Sequence, residues 1–168
     1  MACFCVEEQA YSAALMRFLG IDLGDKRTGL AVGDDETALA SPLRIVELPL
    51  KSGIVLHPAL AERLAAAAKE AGAESIVIGL PLNMDGTEGP RAKEMRTLGA
   101  AIGTLLALPV EYHDERLTSD AADWAMAGSG LTHRGKKQRR DAVAAALMLQ
   151  AFLDARRRRS QREDRAES

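Results

Sequence analysis

Phe18-Leu-Gly-Ile-Asp-Leu-Gly-Asp-Lys-Arg-Thr-Gly-Leu-Ala-Val-Gly-Asp34 decides how the rest of the chain is read. Residues 18–23 are almost continuously apolar, the pattern of a strand covered on both faces. Gly24-Asp-Lys-Arg27 turns the chain, and Thr28-Gly-Leu-Ala-Val-Gly33 returns as a second strand. Asp22 places one carboxylate near the buried end of the first strand. Desolvating an ionised carboxylate is costly, so it needs a cation, several donors or a raised pKa. The bland alternative is an Asp bonded to the backbone of its own turn, and acids elsewhere in the chain decide between the two.

Pro42-Leu-Arg-Ile-Val-Glu-Leu48 alternates as a third strand that continues the antiparallel meander. Ala59 to Ala71 is built of good helix formers and stops at Gly72. Glu74-Ser-Ile-Val-Ile-Gly-Leu80 has the near-continuous apolar character of a buried parallel strand, and the turn-rich loop Pro81 to Pro90 follows its carboxyl end. A helix is expected over Arg91–Leu106 and a short fifth strand over Pro109–His113. Another helix, capped by Thr118, should reach Ala127, and a last one should run from about Gln138 to Asp154. The order predicts an α/β sandwich with a mixed five-stranded sheet over residues 16–154. Residues 1–15 read as an extension, and residues 155–168 as a basic, disordered tail.

With 168 residues, 47% of them hydrophobic, the chain holds one domain with a real core. It lacks an apolar run long enough to cross a membrane, and residues 1–15 do not read as a secretory signal, so a cytoplasmic protein is expected. Cys3 and Cys5 are too close for a good mutual disulfide and read as free thiols. His57, His113 and His133 are scattered, against a zinc site. A net charge of −2 argues against indiscriminate coating of nucleic acid. The charge is unevenly spread, however: Arg134, Lys136, Lys137, Arg139 and Arg140 lead into Asp141. The run Arg156 to Arg159 reads as a solvated face.

On the last expected helix, Asp141 shares a face with Ala144, Ala145, Met148 and Phe152, which points it toward the sheet from the helix's first turn. Glu115 lies just past the fifth strand. Individually, Asp141 is as well explained by a pair with Arg139 or Lys137, and Glu115 by one with Arg116. If Asp22, Glu115 and Asp141 converge, two like charges about 4 Å apart repel by roughly 4 kcal/mol at an effective dielectric near 20, and a divalent cation is required. Oxygen-only ligands suit magnesium or manganese, ions that serve phosphodiester cleavage. Lys26, Arg27, Arg91, Lys136 and Lys137 are the candidate contacts to substrate phosphates.

Gly20 to Asp34, Gly79-Leu-Pro-Leu-Asn-Met-Asp-Gly86, Asp114-Glu-Arg-Leu-Thr118 and Lys137-Gln-Arg-Arg-Asp-Ala-Val-Ala-Ala145 together resemble the YqgF, or RuvX, family. That family is described as Holliday junction resolvases and as nucleases that mature the 5′ end of pre-16S ribosomal RNA. The resemblance spans roughly residues 16–154 and implies an RNase H-like sheet in the order 3-2-1-4-5. It carries a metal-binding and catalytic role onto Asp22, Glu115 and Asp141. It also implies magnesium or manganese as cofactor and pre-rRNA or branched DNA as partner. The sequence leaves both a monomer and a homodimer open. In that sheet the first and fifth strands stand about 9–10 Å apart. Glu115 therefore has to reach across one strand, or lie outside the ion's immediate ligands, or meet a second ion, with Asp114 as a substitute. Two rivals stand beside this reading: the phosphate loop of actin-like and sugar-kinase ATPases, whose fold needs a second such domain, and a catalytically silent nucleic-acid-binding or ribosome-biogenesis protein on the same fold.

Overall fold

The computed structural model describes residues 16–49, 56–115 and 133–166, with residues 133–141 and 164 described by their backbone only. Five strands, β1 Arg17–Leu23, β2 Thr28–Asp34, β3 Ala40–Val46, β4 Ser75–Leu80 and β5 Val110–Asp114, form one sheet in the order β3-β2-β1-β4-β5. β1–β2 and β2–β3 pair antiparallel, whereas β4 runs parallel to β1, and β5 parallel to β4. This is the RNase H-like arrangement that the resemblance implied.

Strand alternation divides the core into two layers. Leu19, Ile21, Leu30, Ile76 and Ile78 face one side. There they meet α1 (Pro58–Ala71) through Leu60 and Leu64, and α2 (Pro90–Leu106) through Met95 and Ile102. Phe18, Ala31 and Val77 face the other side and pack on α3 (His133–Ala166) through Ala145, Leu149, Phe152 and Leu153. Small residues let α3 lie close: a side chain at Gly20 would meet Leu149 Cβ at 3.1 Å, and one at Gly33 would meet Leu153 at 2.8 Å. Gln150 fastens the helix to the β2–β3 turn, accepting from Ala40 N at 2.9 Å and donating to Ala38 O at 2.8 Å.

Both ends of α3 differ from expectation. The helix begins at His133, which puts Asp141 past its first turn, so the helix dipole gives that carboxylate little support. At the other end the expected disordered tail is helical to Ala166. Residues 155–166 contain no Gly or Pro, and extending a helix already held by packing costs far less than nucleating one. Arg156 also docks the start of this segment. Its guanidinium lies 3.2 Å from Asp35 Oδ1, 3.5 Å from Glu111 Oε1 and 5.3 Å from the centre of the Phe18 ring. The expected helix from Thr118 to Ala127 lies outside the described residues, as do the extension 1–15 and both cysteines.

Candidate active site at the carboxyl edge of the sheet

Asp22 is the penultimate residue of β1, at the centre of the sheet, and it is only partly exposed. By alternation it faces the α3 side, as Phe18 and Gly20 do. The last parallel pair is Ile21 with Ile78, so the next residues, Asp22 and Gly79, stand side by side on β1 and β4. Gly79 in turn pairs with His113 of β5, two residues before Glu115.

Gly79 is the hinge of the site. An ideal Cβ there would fall on the Glu115 Oε1 oxygen and lie 2.8 Å from its Cδ and 3.1 Å from its Cγ. The Glu115 side chain therefore occupies the space that any other residue at 79 would fill, and it lies over β4, within the field of the Asp22 carboxylate. Glu115, which follows β5, thus lays its carboxyl over the strand that stands between β5 and β1. Burial pushes the Glu115 carboxyl up to about 7, and the Asp22 carboxylate adds to that; Arg91 pulls the other way, and Asp114 adds a smaller upward push. Asp114 itself ends β5 opposite Leu80.

The basic candidates separate. Arg91, in the first turn of α2, donates to Leu23 O at 3.3 Å and pairs with Asp25 at 2.7 Å and Glu94 at 3.1 Å. It stands where β1 ends and its field reaches Glu115. Lys26 is exposed in the turn after β1. Arg27 pairs with Glu47 at 3.5 Å, beside β3. That turn is tight enough to need a glycine, since a Cβ at Gly24 would meet Arg27 O at 2.8 Å. Beside these residues the loop Pro81–Gly89 is braced by Asn83 N donating to Thr87 O at 2.9 Å and by the Thr87 hydroxyl donating to Asp85 at 2.6 Å.

Lys136, Lys137 and Asp141 lie on α3, and their side chains are outside the described residues. The backbone nonetheless orients their helix. Phe152 stacks edge-on against Phe18 at 5.3 Å, and Leu149 covers Gly20, so lower-numbered residues of α3 advance toward the end of β1 that bears Asp22. Among the described residues no group of three His, Cys, Asp or Glu side chains could hold a metal. The acid pair also does not line a cavity of about 660 Å3 near β3 and α1. That cavity opens between Arg44, Val46 and Leu48 on one side and Arg63 of α1 and Ala142 of α3 on the others.

The raised Glu115 pKa has a consequence for stability. A carboxyl whose folded pKa lies above its unfolded value near 4.5 binds its proton more tightly when folded, so its contribution is full below pH 4.5 and is lost as pH rises to about 7. In metal-free buffer the urea midpoint of the wild type should therefore fall across this window relative to Glu115→Gln. The relative loss should be about 1–2 kcal/mol, the full shift being discounted because the carboxyl is partly exposed. Parallel pH profiles for the two proteins would contradict a raised Glu115 pKa.

Gly79, which shapes this candidate site, is a residue that the sequence showed only as one letter of a motif. A glycine inside an otherwise apolar strand signals close approach of another group.

The RuvX family, described as Holliday junction resolvase, matches residues 16–155. A Chloroflexus aggregans protein named "Putative pre-16S rRNA nuclease" is 39% identical over 142 residues, covering 83% of this chain and 94% of its own. One of the same name from Anaeromyxobacter dehalogenans is 42% identical over 144 residues, covering 84% and 98%. Among solved structures, Thermus thermophilus RuvC in complex with a Holliday junction substrate is 16% identical, covers 84% of this chain and 95% of its own, and has a TM-score of 0.49. With a match to residues 16–155, and relatives of this identity aligned over nearly their whole length, the chain belongs to the RuvX family.

Proposed function

We propose that this protein is a divalent-metal-dependent nuclease that hydrolyses phosphodiester bonds in precursor ribosomal RNA, acting in the cytoplasm. The observation that carries the reading is the Glu115 carboxyl laid over Gly79, the β4 residue beside Asp22, which puts two acids at the carboxyl edge of the sheet with the field of one raising the pKa of the other. Such an arrangement is stable with both groups ionised only beside a cation. Asp22, Glu115 and Asp141 would offer an ion oxygen donors only, a chemistry that suits magnesium or manganese and not zinc. When bound, the ion supplies the positive charge that offsets charge developing on the phosphoryl oxygens.

The chain's own residues do the rest. Arg91, fixed by the Leu23 carbonyl and Asp25, presents its remaining donors to a phosphate beside the acids. Lys26 and Arg27 in the turn after β1 and Lys136 and Lys137 on α3 hold neighbouring phosphates and set the strand's position without reading its sequence. The loop after β4, tied by its own hydrogen bonds, leaves the sheet at the same edge.

The choice of RNA follows the names of the relatives, whereas the family description points to a DNA junction. The test is to incubate purified protein with a 5′-extended pre-16S transcript and with a four-way DNA junction, in magnesium, in manganese and in EDTA. Ion-dependent trimming of the transcript without junction cleavage is expected. Junction cleavage alone would replace the RNA reading, and binding of either substrate without cleavage would favour the silent binding protein.

A further inference from the structure

The arginines that follow Arg156 have no role in the site above, yet they continue α3 beyond the sheet. Arg156 is docked at the amino-terminal edge of the sheet, opposite the acids. Arg157, Arg158, Arg162 and Arg165 lie further on and are exposed. Among the described residues none of these four side chains takes part in an ion pair or hydrogen bond. Beyond Asp154, whose carboxylate accepts from Gln150, Arg158, Arg162 and Arg165 recur at intervals of four and three, so they share one stripe of the helix, where like charges repel, with Arg157 about 100° round from it. A solvated face would gain by mixing signs, and a stripe of one sign suits a polyanion.

We propose that this end of α3 is a second nucleic-acid contact surface, one that grips duplex phosphates remote from the phosphate at the acids. The inference rests on the nuclease reading for its partner class. At 1.5 Å per residue, Arg157 and Arg165 lie about 24 and 36 Å along α3 from Asp141. A duplex advances about 3.4 Å per base pair, so one running along the helix meets these arginines some 7–11 base pairs from the reacting phosphate. Guanidinium groups suit this task because each offers a planar fork of donors to phosphate. A membrane is a poor fit, since residues 154–166 contain no apolar side chain larger than the alanines at 155 and 166.

The test is binding in metal-free buffer, read by fluorescence anisotropy with labelled RNA and DNA duplexes of about 24 and about 6 base pairs, the shorter spanning only about 20 Å. The variant carries Arg157→Gln, Arg158→Gln, Arg162→Gln and Arg165→Gln. It should bind the long duplex at least about tenfold more weakly, with a slope of log affinity against log salt reduced by about two to four units. It should bind the short duplex as wild type does, and cleavage of a short substrate should be unchanged. The fourfold Arg→Lys variant should keep most of the slope, and circular dichroism controls for loss of the helix. RNA and DNA arms tell which duplex is favoured, and either supports the surface. An equal effect on both lengths, no effect on the long duplex, or displacement of the long duplex by poly-glutamate at equal charge would overturn it. Length-dependent binding without cleavage would support this surface while removing only the nuclease reading. Cleavage with no length dependence would remove only this surface.

Discussion

The Asp22→Asn protein is expected to lose divalent-dependent cleavage by at least about a hundredfold while becoming more stable without metal. Even groups that merely orient a metal's ligands cost 10–100-fold when removed, so loss of a direct carboxylate ligand should cost no less. The same replacement removes the negative charge that helps to push Glu115 up, so the Glu115 carboxyl should titrate lower than in the wild type. Its melting temperature in EDTA at pH 8 should rise, because one of two repelling charges is gone. Calorimetry together with a cleavage assay checks both halves. Wild-type cleavage rates in the variant would remove Asp22 from the site, and a fall in metal-free stability would mean that Asp22 serves the fold.

A comparable loss of activity should follow Gly79→Ala, although Gly79 carries no chemistry. The added methyl lands where the Glu115 carboxyl now lies, and that flexible side chain yields more readily than the buried strand beneath it. The sheet should persist, Glu115 should swing toward solvent, and its pKa should drop toward the ordinary carboxylate range. Cleavage should fall about a hundredfold with unchanged or higher metal-free stability. In a Glu115→Gln background the same alanine should cost little more, since both changes disable one group. Additive losses in the double variant would show that Gly79 acts through something other than Glu115.

Much of this was legible along the chain because its signals are local. Continuous apolar runs mark β1 and β4 as interior strands, Gly72 ends α1, and Pro90 opens α2, so the element order and the RNase H-like sheet follow from patterning and resemblance. Asp22 stands out because a carboxylate inside an apolar strand is costly wherever that strand lies. The ends of α3 were misjudged for an equally physical reason: composition registers the absence of an apolar face after Asp154, but not that a helix already packed on Phe18 and Gly20 propagates cheaply.

What the sequence by itself determined is which residues bear charge and which strands are buried. Only the tertiary structure decided which charges meet. Strand spacing alone set Glu115 two strands away from Asp22, and their approach depends on a missing side chain in the strand between them, at Gly79, combined with the parallel register that stands Gly79 beside Asp22. Arg91 likewise joins the site through the Leu23 carbonyl, 68 residues away in sequence. A pattern of residue types records how costly each group is to bury, whereas the distance between two groups from separate strands is set by packing that no local stretch contains.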